Sequence, residues 1–121
     1  MDNYTVKELS DKIQAFCEER DWDQFHNPKD LAIGISTEAN ELLDIFRFKS
    51  EEDIQKIFTN PDKKEHIEEE LADVFFFVLR FAQMNNIDLK QALEMKMDKN
   101  AAKYTVELSK GQNKKYNEFY N

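Results

Sequence analysis

Two pairs of carboxylates, Glu38/Glu41 and Glu70/Asp73, are the residues of this sequence whose types and spacing could do chemistry. Each pair is spaced i, i+3, which on a helix sets both side chains over one edge. The stripe Ile67, Glu70, Val74, Phe77, Phe81 advances by 3, 4, 3, 4, the spacing of a buried helical face, and Glu70 holds one of its positions. Leu31, Ile35, Glu38, Leu42, Ile45 advances by 4, 3, 4, 3, and there Glu38 is the intruder. A carboxylate aimed into an apolar seam is costly unless a cation meets it. Four carboxylates without sulfur or imidazole suit Mg2+ or Mn2+, hard ions that keep water positions open for a phosphate. Spacing alone does not single these pairs out, because with 25 acids, pairs three apart also fall at 8/11, 18/21, 41/44, 62/65 and 65/68. What distinguishes them is coincidence with an apolar stripe on both helices. Glu68 and Glu69 lie off the stripe and read as solvated surface.

Three further groups could serve an anionic ligand. Lys96, Asn100 and Lys103 follow Leu89 and Leu93 at steps of three and four, flanking the apolar edge of a later helix. Ammonium groups there would suit a polyanion lying between them and the carboxylates; the alternative is lysines whose stems cover apolar surface while their charges reach water. Trp22, Phe25 and His26 cluster in a loop, where binding residues concentrate. Their flat faces could hold a nucleobase or could plug the end of a helical bundle. His66 reads as surface.

The elements that must position these groups are helices. Only two Gly and two Pro occur in 121 residues, and no alternating strand pattern stands out. Thr5-Val6-Lys7-Glu8 is a capping box opening a first helix that ends near Arg20. Asp21 to His26 reads as loop. Asn27-Pro28 supplies an N-cap with Pro at the first helical position, and a second helix runs to about Phe48. Ser50 caps a short connecting helix through Phe58. Asn60-Pro61 launches a long third helix ending near Asn85-Asn86. Within it, Val74 to Leu79 is apolar on every side, which predicts burial all round. Asp88 with Gln91 opens a fourth main helix carrying Leu89, Leu93, Met97, Ala101 and Tyr104. The tail from Ser109, with Gly111 and Lys114-Lys115-Tyr116, reads as irregular. The expected fold is all-α: one domain over 1–121, four main helices in an antiparallel, four-helix-bundle-like arrangement with a short connecting helix.

Composition narrows the function classes. The net charge of −8 disfavours nucleic-acid binding. It is uneven: residues 1–88 hold 21 acids and 10 bases, whereas 89–121 hold 4 and 7, as suits a metal-plus-anion site. No apolar run of 18 residues and no basic-then-apolar start occur, so a soluble, cytoplasmic protein without a membrane role is expected. The single Cys17 sits on an apolar stripe and reads as a small core residue. A di-iron bundle would want Glu-x-x-His pairs, and neither His26 nor His66 has a Glu three residues before it. A non-catalytic helical interaction module stays open, but leaves the carboxylates in the apolar stripes unexplained.

At these residues the sequence resembles the MazG-like all-α nucleoside triphosphate pyrophosphohydrolases, and most closely their dCTP pyrophosphatase branch. The likeness runs from about Leu9 to Tyr116. Its parts are Glu19-Arg20-Asp21-Trp22-Asp23-Gln24-Phe25-His26, then Glu38-Ala39-Asn40-Glu41-Leu42, then Glu69-Glu70-Leu71-Ala72-Asp73-Val74. Lys96 through Tyr104 and the terminal Lys115-Tyr116 follow in order. The resemblance implies that Glu38, Glu41, Glu70 and Asp73 bind Mg2+, with Mn2+ a possible substitute. It implies nucleotide contacts from Trp22, Asp23, Gln24, Phe25 and His26, and phosphate contacts from Lys96, Asn100, Lys103 and Tyr104. Two further pocket positions fall on Phe48 and Phe77, where the dCTP-cleaving members carry Trp and Tyr. The substrate implied is a (deoxy)nucleoside triphosphate, dCTP or a modified dCTP, cleaved to monophosphate and pyrophosphate, with dUTP or a broad set of dNTPs as the alternative. Dimers or tetramers are implied too, in keeping with a third helix too apolar for a lone bundle.

Overall fold

The computed structural model describes residues 4–113. The chain divides into two compact units, one up to Asn86 and one from Ile87. The first holds α1 (Val6–Glu19), a 3-10 turn (Asp23–Phe25), α2 (Pro28–Phe46), α3 (Glu51–Thr59) and α4 (Pro61–Met84); the second holds α5 (Leu89–Lys103) and α6 (Val106–Ser109). Every described regular element is helical, as the sequence predicts.

The helices start where the capping residues direct. Thr5, Asn27, Ser50 and Asp88 each accept a hydrogen bond from the backbone N–H three residues on, and Asn60 accepts from both Asp62 and Lys63. Pro28 and Pro61 occupy the first helical positions, where a missing N–H costs nothing. α2 ends at Phe46, two residues short of the expected Phe48. The chain turns there because Phe48 takes the left-handed conformation (φ 62°), which a helix cannot continue. The Asp21–His26 loop contains the 3-10 turn. The tail beyond Ser109 was expected to be irregular; α6 ends there, and Lys114-Lys115-Tyr116 lie outside the described residues.

In the first unit α4 is the common partner, packing most extensively against α2 and also against α1 and α3. The buried core comprises Cys17, Leu31, Ile57, Ile67, Leu79 and Ala82, so Cys17 is the core residue its stripe implied. α2 and α4 approach closely at one point, where Gly34 lies under the ring of Phe77 and a Cβ would come within 2.6 Å of it.

Two expectations about burial are corrected. Leu71 and Phe75 on α4 are 55% and 44% exposed, so the apolar run is not covered on all sides within one chain. In the second unit α5 has no buried residue, with Leu93 and Met97 at 61% and 60% exposure. A three-four apolar pattern specifies that a face exists, not that the same chain covers it.

Candidate functional site

The α2–α4 seam brings three of the four predicted carboxylates together. Glu38 and Glu70 occupy positions in the apolar stripes, so packing those stripes against each other turns both inward. Glu41 follows one turn later on α2. One oxygen from each of Glu38, Glu41 and Glu70 lies within 4.8 Å of the others. Asp73 stands outside that triad but close enough for its charge to bear on both Glu38 and Glu70.

The electrostatics of the cluster are those of crowded, partly desolvated carboxylates. The Oε2 atoms of Glu38 and Glu70 are buried without a hydrogen-bond partner. Burial, reinforced by contact with Glu41 and by the charges of Glu41, Asp73 and Glu70, pushes the Glu38 carboxyl up to about 7. The Glu70 carboxyl is also raised, first by contact with Glu41, then by burial and the charges of Glu41 and Asp73. His66, expected as plain surface, is exposed but sets Nε2 3.3 Å from Glu70 Oε1 and partly offsets that rise. An all-oxygen set with two unsatisfied buried oxygens fits a hard divalent ion. Adjacent oxygens around Mg2+ stand roughly 3 Å apart, so a cluster within 4.8 Å would hold the ion once its side chains close in on it.

The aromatic segment is anchored to the far end of the seam by a residue that sequence reasoning missed. Arg80 on α4 is fully buried. Its guanidinium donates from Nε to His26 Nδ1 at 2.8 Å and from Nη1 to Gln83 Oε1 at 2.6 Å, and its Nη2 pairs with Asp23. Gln83 in turn donates to the Ser10 carbonyl and hydroxyl, tying α4 to α1. A ring nitrogen that accepts from a cation is unprotonated, so His26 carries its proton on Nε2. Burial and the neighbouring Arg80 both lower its pKa and keep it neutral. The signal for Arg80 was available: a guanidinium inside the run Phe75 to Phe81 is buried at a price in desolvation unless partnered.

Of the predicted nucleotide contacts, Asp23 and His26 are therefore engaged by Arg80, and Gln24 closes its own turn by donating to the Asp21 carbonyl and carboxylate. The Trp22 ring stands edge-on to Phe16 and His26, 38% exposed, and Phe25 is 60% exposed. Both rings are accessible, as are Asp23 and Gln24. Phe77 lies in the seam, edge-on to Phe76 and over Gly34. Phe48 is 92% exposed, with the Arg47 guanidinium 4.7 Å from its ring centre. Lys96, Asn100 and Lys103 share one face of α5 by their spacing, in the second unit, and Tyr104 is the C-cap that ends the helix. At the other end of the carboxylate cluster a cavity of about 610 Å³ opens from Glu41 between α2, α3 and α4.

Residues 33–119 match the MazG-like family. The dCTP pyrophosphatase 1 of Bos taurus is 34% identical over 112 residues, covering 93% of this chain and 66% of that protein. The Mus musculus protein of the same name is 35% identical over the same shares. The chain thus spans about two thirds of the length of these relatives. Among solved structures, a pyrophosphatase from Archaeoglobus fulgidus superposes with a TM-score of 0.77 at 34% identity, covering 87% of this chain and 96% of that one. The chain belongs to the MazG-like family.

Proposed function

We propose that the protein hydrolyses a (deoxy)nucleoside triphosphate, dCTP or a modified dCTP, to the monophosphate and pyrophosphate in a Mg2+-dependent reaction, with the whole of 1–121 acting as one domain. The observation that carries this reading is the buried, unpartnered oxygen on each of Glu38 and Glu70, from facing helices, beside Glu41. Structural acids have no reason to accept that desolvation. Relatives named dCTP pyrophosphatase 1 support the substrate class.

Glu38, Glu41, Glu70 and Asp73 would hold the divalent ion. When bound, it offsets the charge of the triphosphate and lowers the pKa of coordinated water. Glu41, half out of the seam, orients a water toward a phosphorus at the α–β linkage and accepts its proton. The new P–O bond forms as the α–β bridging bond breaks, and the leaving oxygen departs with pyrophosphate. Phe77, Trp22 and Phe25 offer ring faces to the base, and Arg80 fixes the loop that carries the last two. The phosphate contacts assigned to Lys96, Asn100, Lys103 and Tyr104 rest on sequence. Leu71 and Phe75, exposed on α4, favour assembly as a homodimer or homotetramer. Among the described residues no helix is long and apolar enough to cross a membrane.

A panel of nucleoside triphosphates with pyrophosphate detection tests the reading, with deoxycytidine triphosphates expected to lead. Asp73→Asn should lower turnover by at least about a hundredfold, the scale of losing a charge that positions the reacting groups, with helical content retained. Near-full activity of that purified variant, or no pyrophosphate from any nucleotide, refutes it.

A further inference from the structure

The cavity opening from Glu41 adjoins the carboxylate cluster, and its walls add cationic groups that the cluster lacks. Lys49 follows α2, Lys56 lies on α3 and Lys63 in the first turn of α4, so three separate elements each deliver an ammonium group to one cleft of about 610 Å³. Lys49 and Lys63 form no ion pair among the described residues, and Lys56 has only Glu52 at 3.6 Å, with both side chains largely in water. Three acids, Glu41, Asp44 and Asp53, share the same walls. Glu41 faces Glu38 and Glu70, and Asp44 has Arg47 at 3.9 Å. Asp53 sits in the first turn of α3, where its N–H bonds to Ser50 and the helix dipole favours a negative charge.

The order of contacts along the seam gives the cleft a direction. Gly34 meets Phe77, Glu38 and Glu41 meet Glu70, and Ile45 shares the cleft with Lys63 and His66, so α2 and α4 run antiparallel. The carboxylates therefore lie between the Phe77 end of the seam and the lysine-lined cleft. A nucleotide whose base lies toward Phe77 and whose α-phosphate meets the carboxylates carries its terminal phosphates toward Lys49, Lys56 and Lys63.

We propose that this cleft is a pyrophosphate subsite: it holds the β- and γ-phosphates of the bound triphosphate and stabilises the negative charge that gathers on pyrophosphate as the α–β bridging bond breaks. The assignment rests on the hydrolase reading above for its place in the reaction, but the anion site itself does not. The three lysines act on the leaving group, whereas the carboxylates act at the α-phosphate. Since each ammonium is partly solvated, each contributes modestly, and the site works by convergence.

The double variant Lys49→Gln/Lys63→Gln tests it. Both side chains are exposed, so the helical spectrum and melting should match the wild type. Titration calorimetry with inorganic pyrophosphate in Mg2+ buffer should show binding weakened about 25-fold, roughly fivefold per lost ammonium contact. Binding of deoxycytidine monophosphate should change less than about twofold. For the best triphosphate of the panel, kcat/KM should fall by a factor similar to that for pyrophosphate. Unchanged pyrophosphate affinity, absence of pyrophosphate binding by the wild type, or equal losses for monophosphate and pyrophosphate would each overturn the subsite. If the wild type releases no pyrophosphate from any nucleotide yet loses pyrophosphate binding in the double variant, the subsite stands and the hydrolase reading falls. If it turns over triphosphate and the double variant is indistinguishable, the reverse holds.

Discussion

Glu38→Gln in the metal-free protein should be stabilising at alkaline pH, the opposite of what removing a buried polar contact normally does. The Glu38 carboxyl is raised from 4.5 to about 7, chiefly by burial and then by Glu41, Asp73 and Glu70. A raised pKa means that the folded state binds the proton more tightly than the unfolded chain. Its stabilising contribution is then complete below about pH 4.5 and is lost as pH rises through about 7. A rise from 4.5 to about 7 corresponds to at most about 3.4 kcal/mol. Glu38 is only half-buried and shares its protonation with Glu41 and Glu70, so about 1–2 kcal/mol is the realistic expectation. For 121 residues the unfolding entropy is near 0.25 kcal/mol/K, so the variant should melt about 4–8 °C above the wild type at pH 8 in EDTA. At pH 5 the wild-type carboxyl is protonated and close in shape to the amide, and the difference should shrink to about 2 °C or less. Added Mg2+ should reverse the ranking at pH 8, because the wild type gains binding energy that the variant lacks. Circular dichroism melts at the two pH values, with EDTA and with Mg2+, make the four measurements. A variant that melts at or below the wild type at pH 8 in EDTA would show that Glu38 is not a desolvated acid awaiting a cation.

Arg80→Met should be expensive although its stem volume is kept. It strands Gln83 and removes the partner of Asp23 and His26, a loss of about 2–4 kcal/mol for a buried, multiply bonded cation. The urea midpoint should fall and Trp22 fluorescence should shift as its loop comes loose; an unchanged emission spectrum would mean that Arg80 does not hold the segment. Gly34→Ala puts a methyl 2.6 Å from the Phe77 ring. Alanine in a helix is normally worth about 1 kcal/mol over glycine, but the overlap should reverse that into a net loss of about 1–2 kcal/mol. Phe77→Leu in the same background should recover most of it, and a Gly34→Ala variant as stable as wild type would mean that the ring moves aside freely.

How much of this was legible in the sequence depends on whether the signal was local. Asn27-Pro28, Ser50, Asn60-Pro61 and Asp88 act on backbone groups two or three residues away, and their helices begin where they say. The end of α2 was placed too late because Phe46 and Phe48 extend an apolar run, whereas the left-handed turn at Phe48 answers to the route into α3. Glu38 and Glu70 were legible for a different reason: each violates the pattern of its own helix, and a violation can be counted without knowing the fold. Arg80 violates its helix just as plainly, but its partners Asp23 and His26 lie 57 and 54 residues earlier, so periodicity could flag its cost and not its purpose. The lysine cleft had no signal of either kind. Lys49, Lys56 and Lys63 are ordinary surface residues on their own elements, and only the packing of α3 against α4 gathers them beside Glu41. A site made of misplaced residues can be read from one helix at a time, while one made of well-placed residues that converge emerges only when the helices are assembled.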